Sequence, residues 1–79
     1  MTTFRAVLQF RKDGPAVIGQ WEDDSTARKT YRRWIGLYGT NPAATVRLIE
    51  EINGVQHPLR TWTVAGEYVT EPGEQESGG

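Results

Sequence analysis

The chain has 79 residues, of which 37% are hydrophobic and 24% charged, with three Trp, three Tyr, two Phe and no cysteine. A chain this short buries only about 60% of its unfolded surface, so it feeds one core and a multidomain enzyme is excluded. The missing cysteines remove disulfide scaffolds, thiolate zinc sites, thiol redox chemistry and a cysteine nucleophile, and the formal net charge of -1 is too small for long-range steering.

The charge is unevenly spread. Glu71, Glu74 and Glu76 lie in a tail over residues 71–79 that has no apolar side chain and reads as disordered, acidic and Gly-bearing. Residues 1–70, the expected α+β domain, hold nine Lys or Arg against seven Asp or Glu, about +2. A local basic patch is compatible with that sum. No apolar run approaches the ~18 residues of a membrane span, and Met1-Thr2-Thr3-Phe4-Arg5 lacks the charged and apolar blocks of a signal peptide. The expectation is a cytoplasmic protein with no membrane partner.

From Phe4 to Arg11 the chain alternates with period two, which sets Phe4, Ala6, Leu8 and Phe10 on one side of a strand and Arg5, Val7, Gln9 and Arg11 on the other. Asp13-Gly14 supplies a tight turn, and Ala16 to Trp21 reads as the returning strand. A two-residue loop pairs Phe10 with Val17, Leu8 with Gly19 and Ala6 with Trp21, and Pro15 leaves room for a longer loop and another register.

Glu22-Asp23-Asp24-Ser25 supplies acids and an N-cap ahead of a helix over Thr26 to Tyr38. Ala27, Tyr31, Trp34, Ile35 and Tyr38 recur at helical spacing and form its buried stripe. Gly39 is expected in the left-handed conformation, with Pro42 barring continuation. Gly36 inside the helix costs about 1 kcal/mol relative to Ala, which points to a close packing contact, and Gly19 is expected to leave room beside Trp21 for the helix.

A second pair of strands follows, Ala44 to Ile52 and Val55 to Val64, joined by Asn53-Gly54, the strongest short hairpin signal. In a regular register Leu48 opposes Leu59 and Val46 opposes Thr61 on one face, while Arg47 opposes Arg60, Ile49 opposes Pro58 and Thr45 opposes Trp62 on the other. Pro58 cannot donate to a ladder and argues for an edge or a bulge. The expected fold is therefore ββαββ, a four-stranded antiparallel sheet of two hairpins with one amphipathic helix on one face. One helix about 10 Å wide covers about half of such a sheet, so a second copy, another protein or the tail strand around Tyr68 and Val69 must meet the remainder.

The inventory for chemistry is thin. His57 is the one histidine and is expected opposite Glu50 as a surface pair. Asp23 and Asp24 suit a cap rather than an acid/base couple, and the glycines form no phosphate loop. No catalytic residue, cofactor or metal site is expected. Two surfaces stand out instead. Arg5, Arg11, Arg47, Arg60 and Trp62 are expected together on the sheet face opposite the helix, where Arg47 beside Arg60 suits an anion and Trp62 a stacked base. The bland account of that face pairs Arg5 with Glu22 across the hairpin. Arg28, Lys29, Arg32 and Arg33, with Leu37, form a second patch on the helix, suited to solvent, to phosphates or to a protein contact. The leading reading is a small non-enzymatic interaction module, dimeric or accessory to a larger protein; the alternative is a nucleic-acid-binding module using either basic surface.

Overall fold

Residues 1–70 are described in a computed structural model; the acidic tail expected at 71–79 lies outside the described residues. The elements run β1 (Thr2–Gln9), β2 (Ala16–Trp21), α1 (Asp24–Tyr38), β3 (Thr45–Ile52), β4 (Val55–Thr63) and β5 (Gly66–Val69). All strand pairs are antiparallel, in the order β2-β1-β3-β4-β5. The architecture is α+β as expected, but the sheet has five strands where the sequence predicts four. The extra strand exists because the chain reverses at Val64-Ala65. There the Thr63 hydroxyl accepts the Ala65 N–H at 3.2 Å and Gly66 takes φ +148°, a backbone region that favours glycine.

The first hairpin differs from expectation by two residues. Phe4 opposes Trp21, Ala6 opposes Gly19 and Leu8 opposes Val17, which leaves Phe10 to Pro15 as the loop. Gln9 stabilises that longer loop by donating its side-chain amide to the Lys12 and Gly14 carbonyls at 3.1 and 2.9 Å. A shift of two preserves the faces, so Ala6 and Leu8 are still buried. Gly19 is needed, though by Trp21 rather than by the helix: a Cβ there would collide with the Trp21 indole, which folds back along its own strand.

The helix starts two residues earlier than expected because Asp23, with φ -108° and ψ 121°, is the N-cap. Its carboxylate accepts the Thr26 N–H and the Ser25 hydroxyl, each at 3.0 Å, and the Thr26 hydroxyl. At the other end Gly39 is right-handed (φ -66°, ψ -12°), not left-handed, and donates its N–H to the Ile35 carbonyl at 2.8 Å. What its missing side chain provides is space, since a Cβ would lie 3.2 Å from the Trp62 ring. Gly36 gives no such account of itself. Nothing lies within 4 Å of a Cβ built there, so the expected packing contact does not exist.

Ala27 and Tyr31 are buried against Leu8, Val46, Leu48 and Leu59, with Phe4, Trp21, Trp34, Ile35 and Trp62 packed around them. The helix thus covers β2, β1 and β3, and Phe10 meets Tyr38 edge to face at 5.2 Å. The major departure from the expected pattern lies in β4. From Asn53-Gly54 the hairpin runs as expected to Ile49 opposite Pro58, and then Leu48 opposes Arg60 rather than Leu59. Leu59 is the extra residue of a β-bulge, and beyond it every side chain of β4 changes sides. Arg60 and Trp62 therefore share the helix face with Leu48 and Val46, and the predicted opposition of Arg47 to Arg60 and of Thr45 to Trp62 does not occur. Pro58 sits at the bulge and beyond the end of β5, where its missing N–H costs no ladder bond.

This register has a direct test in stability. Trp62→Ala removes a ring packed on the core and is expected to lower the unfolding free energy by about 3 kcal/mol, whereas Arg47→Ala on the bare face stays within about 0.5 kcal/mol, both read from urea denaturation.

Candidate interaction surfaces

The side of the sheet away from the helix carries no other element among the described residues. Its pairings align one residue from each strand into a row across the whole sheet: Ile18, Val7, Arg47, Thr61 and Tyr68. Ile18 and Tyr68, the ends of the row, are 60% and 65% exposed. The next row begins Gln20, Arg5, Ile49 and Pro58. Alternation in β1 and β3 creates this surface directly, because the residues between the buried Ala6, Leu8, Val46 and Leu48 must point the other way.

Of the five residues expected to meet here, the structure brings two together. Arg5 and Arg47 lie on this face on neighbouring strands. Arg5 is already engaged, donating to Gln20 at 2.9 Å and pairing with Glu51 at 2.8 Å, so its partner is not Glu22. Arg47 is exposed and makes no ion pair with a described residue. Arg11 lies past the end of β1, in the first loop. Arg60 and Trp62 are on the opposite face, for the reason given by the bulge. Tyr68, which the sequence places only in a trailing stretch, is the aromatic of the bare face; its signal was the Glu67–Val69 alternation, too short to stand without the turn before it.

On the helix side, Arg60 has structural company. Tyr31 is buried and donates its hydroxyl to a Glu67 carboxylate oxygen at 2.7 Å, and Arg60 approaches the same oxygen at 3.9 Å. A buried phenol requires such a partner, and here the bond also ties β5 to the helix. On the helix itself, Arg28 pairs with Asp24 one turn earlier at 2.7 Å. Lys29, Arg32 and Arg33 are exposed with no ion pair to a described residue, and Leu37 is 61% exposed.

His57 opposes Glu50 as expected. The two border an open cleft of about 410 Å³ with Ile52, Pro58, Leu59 and Thr70, in which Thr70 donates its hydroxyl to the Pro58 carbonyl at 2.6 Å. Among the described residues no group of three or more His, Cys, Asp or Glu is arranged to hold a metal ion, and no helix is long and apolar enough to cross a membrane. No family model, curated protein or solved structure matches this chain.

Asp23 is held below its ordinary carboxylate value, first by the Thr26 hydroxyl and then by the Thr26 N–H and the Ser25 hydroxyl. A depressed carboxylate contributes stability that is present above its unfolded pKa, about 3.9, and is lost as pH falls through the folded value. Thermal melts followed by helical circular dichroism are therefore expected to show a loss of stability below about pH 4 that is smaller in Asp23→Asn, which keeps the cap acceptor, than in the unaltered chain. Asp23→Ala lowers the melting temperature already at neutral pH.

Proposed function

We propose that the protein is a small non-enzymatic interaction module that works in the cytoplasm as a dimer or as an accessory or regulatory subunit, docking through the bare face of its sheet. The observation that carries this reading is the row from Ile18 through Val7, Arg47 and Thr61 to Tyr68, which crosses all five strands with apolar or aromatic groups toward both ends and, at its centre, a cation that has no ion pair among the described residues. Five strands at about 4.8 Å make a face about 24 Å wide, on the scale of a standard interface, which buries about 800 Å² per partner. An exposed apolar surface rimmed by polar groups is the usual mark of a protein contact. Arg47 adds specificity, because a partner that buries it must supply a carboxylate or carbonyl oxygens.

The sheet-face version of the nucleic-acid alternative loses support from the same geometry. Arg60 and Trp62 lie on the other side, Arg5 is bonded to Glu51 and Gln20, and one aromatic, Tyr68, is left where stacking platforms use several.

Light scattering on the full chain tests the proposal. Particles of twice the 8.9 kDa chain mass that revert to single chains when Ile18→Glu and Tyr68→Glu are combined support docking through this face. A chain that stays monomeric at its highest soluble concentration removes the dimer. Both substitutions are on exposed positions and are expected to change the unfolding free energy by no more than about 0.5 kcal/mol each.

A further inference from the structure

The outer surface of α1, turned away from the sheet, has a composition that the fold does not explain. With 3.6 residues per turn, Ala27, Tyr31, Trp34 and Ile35 define the side packed on the sheet, and Gly36 falls within about 25° of the opposite meridian. Lys29 lies almost on the same meridian, two turns earlier, and Arg32 and Arg33 flank it within about 60° on either side. Leu37 is displaced to the flank by about 80°. Gly36 thus leaves a bare stretch of helix backbone on the outer face, one turn beyond Arg32 and Arg33 and two turns beyond Lys29, with no apolar side chain on that meridian.

Two independent observations make this surface more than a solvated helix. Lys29, Arg32 and Arg33 are exposed and have no ion pair with a described residue, in contrast to Arg28, which is held by Asp24. Gly36 is unused by the protein itself: it is exposed, it has helical rather than left-handed backbone, and a Cβ there would meet nothing within 4 Å. A glycine in a helix interior lowers stability relative to alanine, so the chain forgoes stability at the C-terminal margin of its basic helix patch. What glycine offers in return is close approach of a ligand to the backbone.

We propose that this face binds the phosphodiester backbone of double-stranded nucleic acid, with Lys29, Arg32 and Arg33 contacting phosphates and Gly36 admitting the strand against the helix. Charge complementarity selects a polyanion. Two of the three cations are arginines, whose planar fork matches phosphate oxygens. The face has no aromatic ring for stacking unpaired bases, and its centre lacks the apolar anchor that docking an acidic protein helix uses. Binding of this kind positions the protein on the duplex without reading sequence. This surface is separate from the sheet face of the proposed function, so either stands if the other fails.

Fluorescence anisotropy of a labelled short mixed-sequence DNA duplex, titrated with the full chain at about 50 and 200 mM salt, tests the proposal. Three phosphate contacts predict a loss of affinity of about 40-fold between these conditions. Combining Arg32→Gln with Arg33→Gln is expected to leave about a threefold dependence, and Arg47→Glu on the sheet face to leave the direct helix contacts intact. The decisive variant is Gly36→Ala, expected to raise the melting temperature by about 4 to 8 °C while weakening duplex binding about fivefold, opposite effects that a purely structural glycine does not produce. No binding at 50 mM salt, unchanged binding in Gly36→Ala, or equal binding of polyglutamate, which would make an acidic protein the better occupant, overturns the proposal.

Discussion

One extra residue in β4 determines what each side of the sheet carries. Without the bulge at Leu59 the hairpin after Asn53-Gly54 would continue in strict alternation, sending Arg60 and Trp62 to the bare face and Leu59 alone to the core. With it, Leu59, Arg60 and Trp62 all reach the helix side. Trp62 then lies beneath the C-terminal end of the helix, where Gly39 makes space for its ring. The pairing of Trp62 with Glu67 in turn brings the Glu67 carboxylate to the buried Tyr31 hydroxyl. A single helix is too narrow to cover five strands, and the bulge supplies side chains that extend the cover over β4 and β5 from within the sheet itself.

The same sorting leaves the two outer surfaces chemically distinct. The bare sheet face keeps Arg47 as a cation with no ion pair among the described residues, because Arg5 is tied to Glu51 and Gln20, and is otherwise mostly apolar or uncharged. The outer helix face is the basic one. The molecule measures 32 × 30 × 19 Å, a slab in which helix and sheet are the two layers, so ligands on these surfaces would meet opposite sides and would not compete for space. A protein contact through the sheet would therefore leave the helix facing outward.

Much of this fold is legible in the sequence, and the parts that are not have physical reasons. Period-two alternation in β1 and helical spacing in α1 identified Ala6, Leu8, Ala27 and Tyr31 as buried, because those patterns are imposed by local geometry. The first hairpin was misregistered by two residues without harm, since only odd shifts exchange faces. The bulge was different. Pro58 signalled an irregularity, but whether a strand accommodates proline at an edge or by a bulge depends on which strand lies beyond it, and the tail strand around Tyr68 and Val69 was not placed in the sheet. Four residues with one exposed aromatic carry little periodic signal, and the turn at Val64-Ala65 lacks the Asn-Gly or Asp-Gly pair that marks the other reversals. Leaving the tail strand out of the sheet and leaving the bulge out of the register were one error, and it is what placed Trp62 and Arg60 in a binding face where they do not belong.

Positions where a local preference is violated without internal compensation are where function is to be sought, and the glycines separate clearly on that criterion. Gly19 is compensated by the Trp21 ring above it, Gly39 by Trp62, and Gly54 and Gly66 by positive φ. Each of these has its cause inside the molecule. Gly36 has none among the described residues, and it lies one turn beyond Arg32 and Arg33, where the proposed contact outside the chain would be its counterpart. The bare row of the sheet obeys the same logic at larger scale: Ile18 and Tyr68 are exposed in a protein whose core is small, although turning such side chains inward is the cheapest way for a short chain to gain stability. Both features are costs to an isolated monomer that the proposed contacts would offset.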